Sequence, residues 1–262
     1  MSDSKINRAQ SGSFDGIANK FDRNIYGTTK GRLRHLQLLH FLKPLIHQEL
    51  ARTVLDAGAG TGIMSLEFAQ NGHHTTLVDV SDDALTLARQ RLKDFPECQF
   101  IKQSLEDYAV KALASHKRFD IILCHAVLEW LVEPLCVLDK LIEQLNEGGV
   151  LSLSFFNHDA MLFNNAIYGN FEYIDKGMKV RNVVRLNPHN PQSPKQVLTH
   201  LAKRDDVTIN IQAGLRCFHD YMREPSMQES KFAQLLALEK QYSVHEPYMW
   251  LGKYFYLQLQ KC

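Results

Sequence analysis

Residues 53–62 read Thr-Val-Leu-Asp-Ala-Gly-Ala-Gly-Thr-Gly. An apolar strand runs here into three glycines, Gly58, Gly60 and Gly62, spaced G-x-G-x-G. A glycine-rich turn between a strand and a helix lets a nucleotide-like ligand lie against bare backbone at a helix N-terminus. A dinucleotide-binding turn is instead written G-x-G-x-x-G. Gly62 comes one residue too early for that, and Asp56 sits inside the strand end. A turn this tight suits a nucleoside and has no diphosphate to cradle. A plain strand-to-helix turn is the alternative, and three glycines plus a buried acid argue against it.

From residue 53 the pattern alternates strand and helix. Strands are expected at 53–57, 75–80, 99–102, 120–124 and 150–156. Helices are expected at 61–71, from Ser81 to 94, and from Pro134 to 146. Ser81 reads as an N-cap with Asp82 and Asp83 in the first turn. Gly148-Gly149 reads as the stop after Asn146. Such alternation predicts an α/β fold with a doubly wound, mostly parallel sheet. Ahead of it, Phe14, Ile17, Phe21 and Ile25 mark one face of a helix. Leu38, Leu42, Leu45 and Ile46 mark a second. Residues 1–50 are expected to form a helical lid, and 51–262 the main domain. Beyond 157, helices are expected at 159–170, 195–204 and 226–242, a strand pair near 207–219, and a last strand at 251–259. Residues 186–194, with three prolines and two asparagines, read as a loop. An insertion around 160–204, following strand five, is expected to cover the carboxyl edge of the sheet.

The chain has 262 residues, 45% of them hydrophobic, enough for one large domain with an elaboration. Apolar runs are too short for a membrane span, and the N-terminus is too polar for a secretory signal. The five cysteines are odd in number and form no C-x-x-C, so neither a disulfide framework nor a zinc site is indicated. No metal is expected, and a cytoplasmic location is the simplest. A net charge of +1 hides an asymmetry. Residues 1–50 carry eight Lys/Arg against four Asp/Glu, and residues 176–204 carry seven and no acid. Most charge runs are solvated loops. The complete absence of acid from the second segment points to a polyanion.

An acid placed before G-x-G-x-G resembles motif I of the class I S-adenosylmethionine-dependent methyltransferases. In an open parallel sheet the ligand sits beyond the strands' carboxyl ends. Four groups are suitably placed. The glycine turn, including Gly60, is the first. Asp79 ends strand two and suits the ribose hydroxyls, although it could merely start the next helix. After strand three, Leu105 is assigned to adenine and Glu106 to its exocyclic amine, with Asp107 as rival. His125 follows strand four, next to the expected methyl group, and a structural role competes there.

Longer stretches narrow the resemblance. Arg23-Asn24-Ile25-Tyr26-Gly27-Thr28-Thr29-Lys30-Gly31, His125-Ala126-Val127-Leu128-Glu129-Trp130, Gly169-Asn170-Phe171, Phe218-His219-Asp220-Tyr221 and Glu246-Pro247-Tyr248 resemble the bacterial tRNA 5-carboxymethoxyuridine methyltransferase family. The similarity runs from about Phe14 to Leu259. It implies a Rossmann-like class I fold with a seven-stranded sheet. It implies methylation of the carboxylate of 5-carboxymethoxyuridine at the anticodon wobble position, with S-adenosylmethionine as cofactor and the tRNA anticodon stem-loop as partner. It implies cofactor contacts at Arg34, Gly58, Ala59, Asp79, Leu105, Glu106 and His125. A relative carries glycine where this chain has Ala59, which backbone contact tolerates if φ is negative. Leu105 and Glu106 also differ from that relative. Arg34, otherwise a surface residue, becomes a guanidinium fork for the cofactor's methionine carboxylate.

A carboxylate nucleophile is ionised near neutrality, so no general base is expected. The candidates to hold it are Arg216 first, then Lys30, Tyr26, His219 and Tyr221. An arginine on an exposed strand is the competing reading of Arg216. Lys176, Lys179, Arg181 and Arg185 are expected to meet phosphates. Phe156, Phe163, Tyr168, Phe171 and Tyr173 could stack on an unpaired base, or belong to the core. A small-molecule carboxylate methyltransferase and a non-catalytic S-adenosylmethionine-binding protein are the alternative functions. A nicotinamide dehydrogenase is disfavoured by the glycine spacing.

Overall fold

The computed structural model describes residues 27–178 and 190–262. The helix expected at 13–25, Tyr26, and the cations Lys179, Arg181 and Arg185 lie outside the described residues. The first helix, α1, is Thr29–Ile46, with Thr28 accepting the Gly31 amide as its N-cap. The strands are β1 Thr53–Ala57, β2 His74–Asp79, β3 Gln99–Lys102, β4 Phe119–His125, β5 Leu145–Phe156, β6 Val207–Leu215 and β7 Tyr254–Lys261. Helices α2 Ile63–Ala69, α3 Asp82–Arg91, α4 Leu105–Ala114 and α5 Pro134–Glu143 join the first five strands. Then come α6 His158–Ile167, α7 Phe171–Asp175, α8 Pro194–Leu201, α9 Met227–Ser230 and α10 Phe232–Tyr242.

The seven strands form one sheet in the order β3-β2-β1-β4-β5-β7-β6. β1 to β5 are parallel, and β7 runs antiparallel between β5 and β6. The strand order reverses between β1 and β4, so a crevice opens at their carboxyl ends. Alternation along the strands builds both faces. Leu55, Ile122 and Cys124 pack with Leu138, Leu141, Val197 and Leu201 of α5 and α8. Val54, Ile121, Leu123 and Tyr256 face the other way, against Leu38, Phe41, Leu42, Leu45 and Ile46 of α1. Each buried leucine of that helix contributes about 1.5–3 kcal/mol of transfer free energy, so α1 is bound tightly to the sheet.

Some boundaries depart from expectation. α5 stops at Glu143, and Gly148-Gly149 lies inside β5 rather than ending a helix. The amide of Phe119 donates to the carbonyl of Gln144 at 2.8 Å, so pairing with β4 starts before the glycines. A Cβ on Gly149 would stand 2.7 Å from the Asn146 carbonyl oxygen and 3.1 Å from that of Asp120. The glycine therefore permits a close backbone approach at the bulge. The strand pair expected near 207–219 is the single strand β6. It pairs with β7, and Arg216 at φ +61° ends it. The helix expected at 159–170 is α6, which ends at Ile167 ahead of Gly169 at φ +74°, with α7 following as a separate helix. The one expected at 226–242 is broken in two, α9 and α10.

Candidate active site

The crevice at the β1/β4 switch is lined by Asp56, Gly58 and Ala59 from the β1 end and turn, and by Met64 of α2. His125 closes it from β4, and Arg34, His35 and Leu38 of α1 roof it. The turn is stapled to β2, since the amides of Gly58 and Ala59 both donate to the Val78 carbonyl, at 2.8 and 3.1 Å. Gly58 has φ +80°, and a Cβ there would meet Val127 Cγ2 at 2.4 Å. Gly60 has φ +54° and nothing within 4 Å of the position of a Cβ. Its Cα therefore faces open space. Among the described residues positive φ outside glycine occurs at His116, Ala126, Met178 and Arg216, so Ala59 lies outside the left-handed region.

Asp79 is buried at the end of β2. Its Oδ2 accepts the Gly60 amide and its Oδ1 the Ser81 amide, both at 2.8 Å. Ser81 itself caps α3 by accepting the Ala84 amide. The Asp79 carbonyl accepts the Gln103 amide at 3.0 Å, which brings the start of α4 alongside. There Ser104 caps the helix, Leu105 turns into the core, Glu106 is half-buried and Asp107 is exposed. Asp56 takes a 2.7 Å hydrogen bond from Ser65 Oγ. Burial raises its carboxyl to about 6, partly offset by Ser65, with Asp79 adding to the rise.

His125 Nε2 is 2.8 Å from Ser152 Oγ, which in turn donates to the Tyr256 hydroxyl at 3.1 Å. Burial, with Arg34 and His35 adding repulsion, lowers this histidine to about 3, so the imidazole is neutral. Arg34 lies over the ring of Tyr254 at 4.9 Å. Glu129, inside the His125–Trp130 stretch, is fully buried, which its sequence neighbours do not foretell. Its carboxylate accepts the amides of Glu129 and Phe156, yet Oε2 has no partner. Burial raises it to about 7 against the pull of those amides and Arg34.

Beyond Tyr254 lies a second polar cluster holding three of the candidates for the substrate carboxylate, Arg216, His219 and Tyr221. Arg216 is buried rather than exposed, with Nε donating to Asp220 Oδ2 at 2.8 Å and Nη2 to Oδ1. Burial pushes the Asp220 carboxyl up, and Arg216 overrides it, holding the acid well below the usual range. His219 is buried, with Nε2 3.0 Å from Thr29 Oγ1. The Tyr221 hydroxyl donates to the Leu251 carbonyl at 2.8 Å. Glu239 of α10 accepts the amides of Cys217, Phe218 and His219 at 2.6, 3.0 and 2.9 Å and so fixes this loop. Lys30 is exposed at the start of α1. On the insertion, Lys176 pairs with Glu172 at 3.5 Å, and Tyr168 and Phe171 are each 64% exposed. Among the described residues no group of His, Cys, Asp or Glu is placed to hold a metal ion, and no helix is long and apolar enough to cross a membrane.

A family model described as a methyltransferase domain matches residues 49–214. The chain is 39% identical over 259 residues to the tRNA 5-carboxymethoxyuridine methyltransferase of Escherichia coli strain K12, covering 96% of this chain and 97% of that protein. It is 30% identical over 148 residues to a ubiquinone biosynthesis O-methyltransferase of Actinobacillus pleuropneumoniae, covering 53% of this chain and 63% of that one. Among solved structures, the plantazolicin methyltransferase BpumL in complex with a triazolic analogue and SAH superposes with a TM-score of 0.57 at 18% identity, over 94% of this chain and 92% of that one. The N-methyltransferase NodS from Bradyrhizobium japonicum WM9 with S-adenosyl-L-homocysteine gives 0.54 at 16%, over 93% and 97%. At such identities these two likenesses concern the fold.

Proposed function

Since the chain belongs to the S-adenosylmethionine-dependent methyltransferases, and among them to the tRNA 5-carboxymethoxyuridine methyltransferase family, we propose that it esterifies the carboxylate of 5-carboxymethoxyuridine at the wobble position of tRNA. The observation that carries this reading is the extent of the similarity. It spans 96% of the chain, through the cofactor half and the C-terminal half alike. The ubiquinone-pathway relative covers little more than half.

The crevice suits the cofactor. Gly60 leaves open space against bare backbone, and the Asp79 carboxylate beside it has acceptor sites for about four hydrogen bonds. S-adenosylmethionine, when bound, supplies a methyl group on a sulfonium cation. Arg34 receives its methionine carboxylate, Gly58, Ala59 and Gly60 offer backbone, and Asp79 accepts the ribose hydroxyls. Leu105 and Glu106 serve adenine and its amine, and neutral His125 lies beside the reacting end. No side chain need remove a proton, because a carboxylic acid of pKa about 4 is already ionised. The protein's work is to exclude water and align the carboxylate, a positioning effect of up to roughly 7–11 kcal/mol. The basic segments at 1–50 and 176–204 meet the anticodon stem-loop, and the enzyme works in the cytoplasm with its tRNA.

The test is mass spectrometry of nucleosides from tRNA of cells lacking the gene, incubated with the protein and S-adenosylmethionine. Conversion of 5-carboxymethoxyuridine to its methyl ester is expected. No conversion by protein that demonstrably binds cofactor would send the search to small carboxylic acids or a non-catalytic role.

A further inference from the structure

Lys253 stands just before β7, and its backbone is held on both sides. Its amide donates to the Arg216 carbonyl at 3.3 Å, and its carbonyl accepts the Asn157 amide at 3.1 Å. Its ammonium lies 4.8 Å from the centre of the Phe156 ring. Phe156 meets Tyr254 edge-on at 5.6 Å, and Tyr254 carries Arg34 of the crevice on its face. Lys253, Phe156, Tyr254 and Arg34 thus form one surface that leads from the crevice outward along the ends of β5 and β7.

The charge on that surface is unbalanced. Arg216 and Lys30 repel Lys253, while Asp220 is the acid that attracts it. Asp220 is already forked onto Arg216. Among the described residues no carboxylate pairs with Lys253 directly. Burial lowers its pKa, which is the mark of a charge short of solvent. An ammonium in this state, with three donors and an aromatic ring beside it, is prepared for an incoming anion.

Resting on the function proposed above, we infer that Lys253 is the residue that holds the reacting carboxylate of the substrate. Its ammonium takes one oxygen and leaves the other to accept the methyl group, with Phe156 as the apolar wall. Arg216, with its fork occupied by Asp220, positions the strand end whose carbonyl anchors Lys253. The interaction also distinguishes substrate from product. Esterification removes the negative charge, so the attraction that captures the acid is lost once the methyl has moved.

The experiment uses full-length protein with S-adenosylhomocysteine and anticodon stem-loops bearing 5-carboxymethoxyuridine or its methyl ester. Methyl transfer to the acid stem-loop by the wild type is measured first, and its absence overturns the function itself rather than the role of Lys253. In an active wild type, the acid stem-loop should bind about tenfold or more tightly than the ester. Lys253→Gln should reduce that preference to about twofold or less and raise KM about tenfold, with cofactor affinity within about twofold of wild type. Lys253→Arg should retain the preference. Lys253→Met, which keeps the stem on Phe156, carries the same expectation as Lys253→Gln should the latter fail to fold. A neutral variant that binds cofactor normally and still prefers the acid would overturn the assignment, as would an active wild type without the preference.

Discussion

Asp79 Oδ2 accepts the amide of Gly60 at 2.8 Å, while its other oxygen accepts the amide of Ser81. One carboxylate thereby joins the glycine turn after β1 to the helix start after β2. Gly60 holds φ +54°, a conformation that L side chains rarely adopt, so glycine presents the amide to the acid with the least backbone strain. The acid proposed to read the ribose also holds the turn proposed to receive the rest of the cofactor.

Asp79→Asn keeps the shape and removes the charge. An amide oxygen can serve one of the two backbone donors, and the NH2 then faces the other. Losing charge-assisted hydrogen bonds should weaken S-adenosylhomocysteine binding about 10- to 100-fold in calorimetry. Glu106→Gln, at a half-buried helix start, should cost much less. Equal, small losses for both would remove the ribose role from Asp79.

His125 titrates far below the physiological range, near 3. Between about pH 3 and the unfolded value of about 6.5 the unfolded chain binds a proton that the folded chain does not. The stability this histidine contributes is therefore fully present above about pH 6.5 and is lost as the pH falls through that window. Thermal unfolding from about pH 4 to 7 should show a shallower acid-side decline in His125→Gln than in the wild type. Parallel curves would mean the imidazole is not held neutral.

The sheet and the crevice were legible because they depend on local rules. Strand alternation and the cap Ser81 are written in consecutive residues, and so is G-x-G-x-G, whereas the Ser104 cap and helix α4 emerge only in the structure. The cluster around Arg216 was legible only as a set of candidate residues, because several of the pairs that build it are remote in sequence. Thr29 meets His219, the Arg216 carbonyl anchors Lys253, and Arg34 lies on Tyr254. An exposed strand position competed for Arg216 because nothing near it in sequence announces a positive φ. Its partner Asp220 stands only four residues on, a pairing that the structure reveals. Glu129 stands inside the His125–Trp130 stretch, and only the packing around Phe156 shows that its carboxylate is buried.

Glu129 makes a second pH prediction of opposite sign. Its folded value of about 7 exceeds the unfolded carboxyl value, so the folded chain binds the extra proton. Stability from this group is present at low pH and lost as the pH rises to about 7. Glu129→Gln imitates the protonated acid. Its gain in stability over wild type should grow from about pH 5 to 7 and then level off, at on the order of 1–3 kcal/mol. Denaturant titration at about pH 5 and about pH 8 measures it, and a gain independent of pH would contradict the buried, protonated state.

The basic segment makes an ionic-strength prediction. Neutralising Lys179, Arg181 and Arg185 should reduce the slope of log affinity against log salt for tRNA by about 0.7 for each phosphate that is no longer neutralised. Lys176, whose charge is shared with Glu172, should contribute less. An unchanged slope in the triple variant would mean that this segment does not touch the tRNA backbone.

The Arg216–Asp220 pair offers a test in which stability and substrate binding separate. Their side chains are 8% and 19% exposed, and the fork uses two nitrogens of the guanidinium. Removing one partner of a buried pair strands the other charge, so Arg216→Met and Asp220→Asn alone should each cost about 3–5 kcal/mol. The double variant removes both charges and should recover much of that loss, a coupling that a double-mutant cycle reads directly. Recovery is structurally feasible because Glu239 holds the loop through three amides that neither substitution touches. If Arg216 acts only by positioning the strand end that anchors Lys253, KM for the modified tRNA should return with the fold. If it also grips the substrate, stability will return and KM will stay high. Additive losses in the double variant would show that the two charges do not depend on each other.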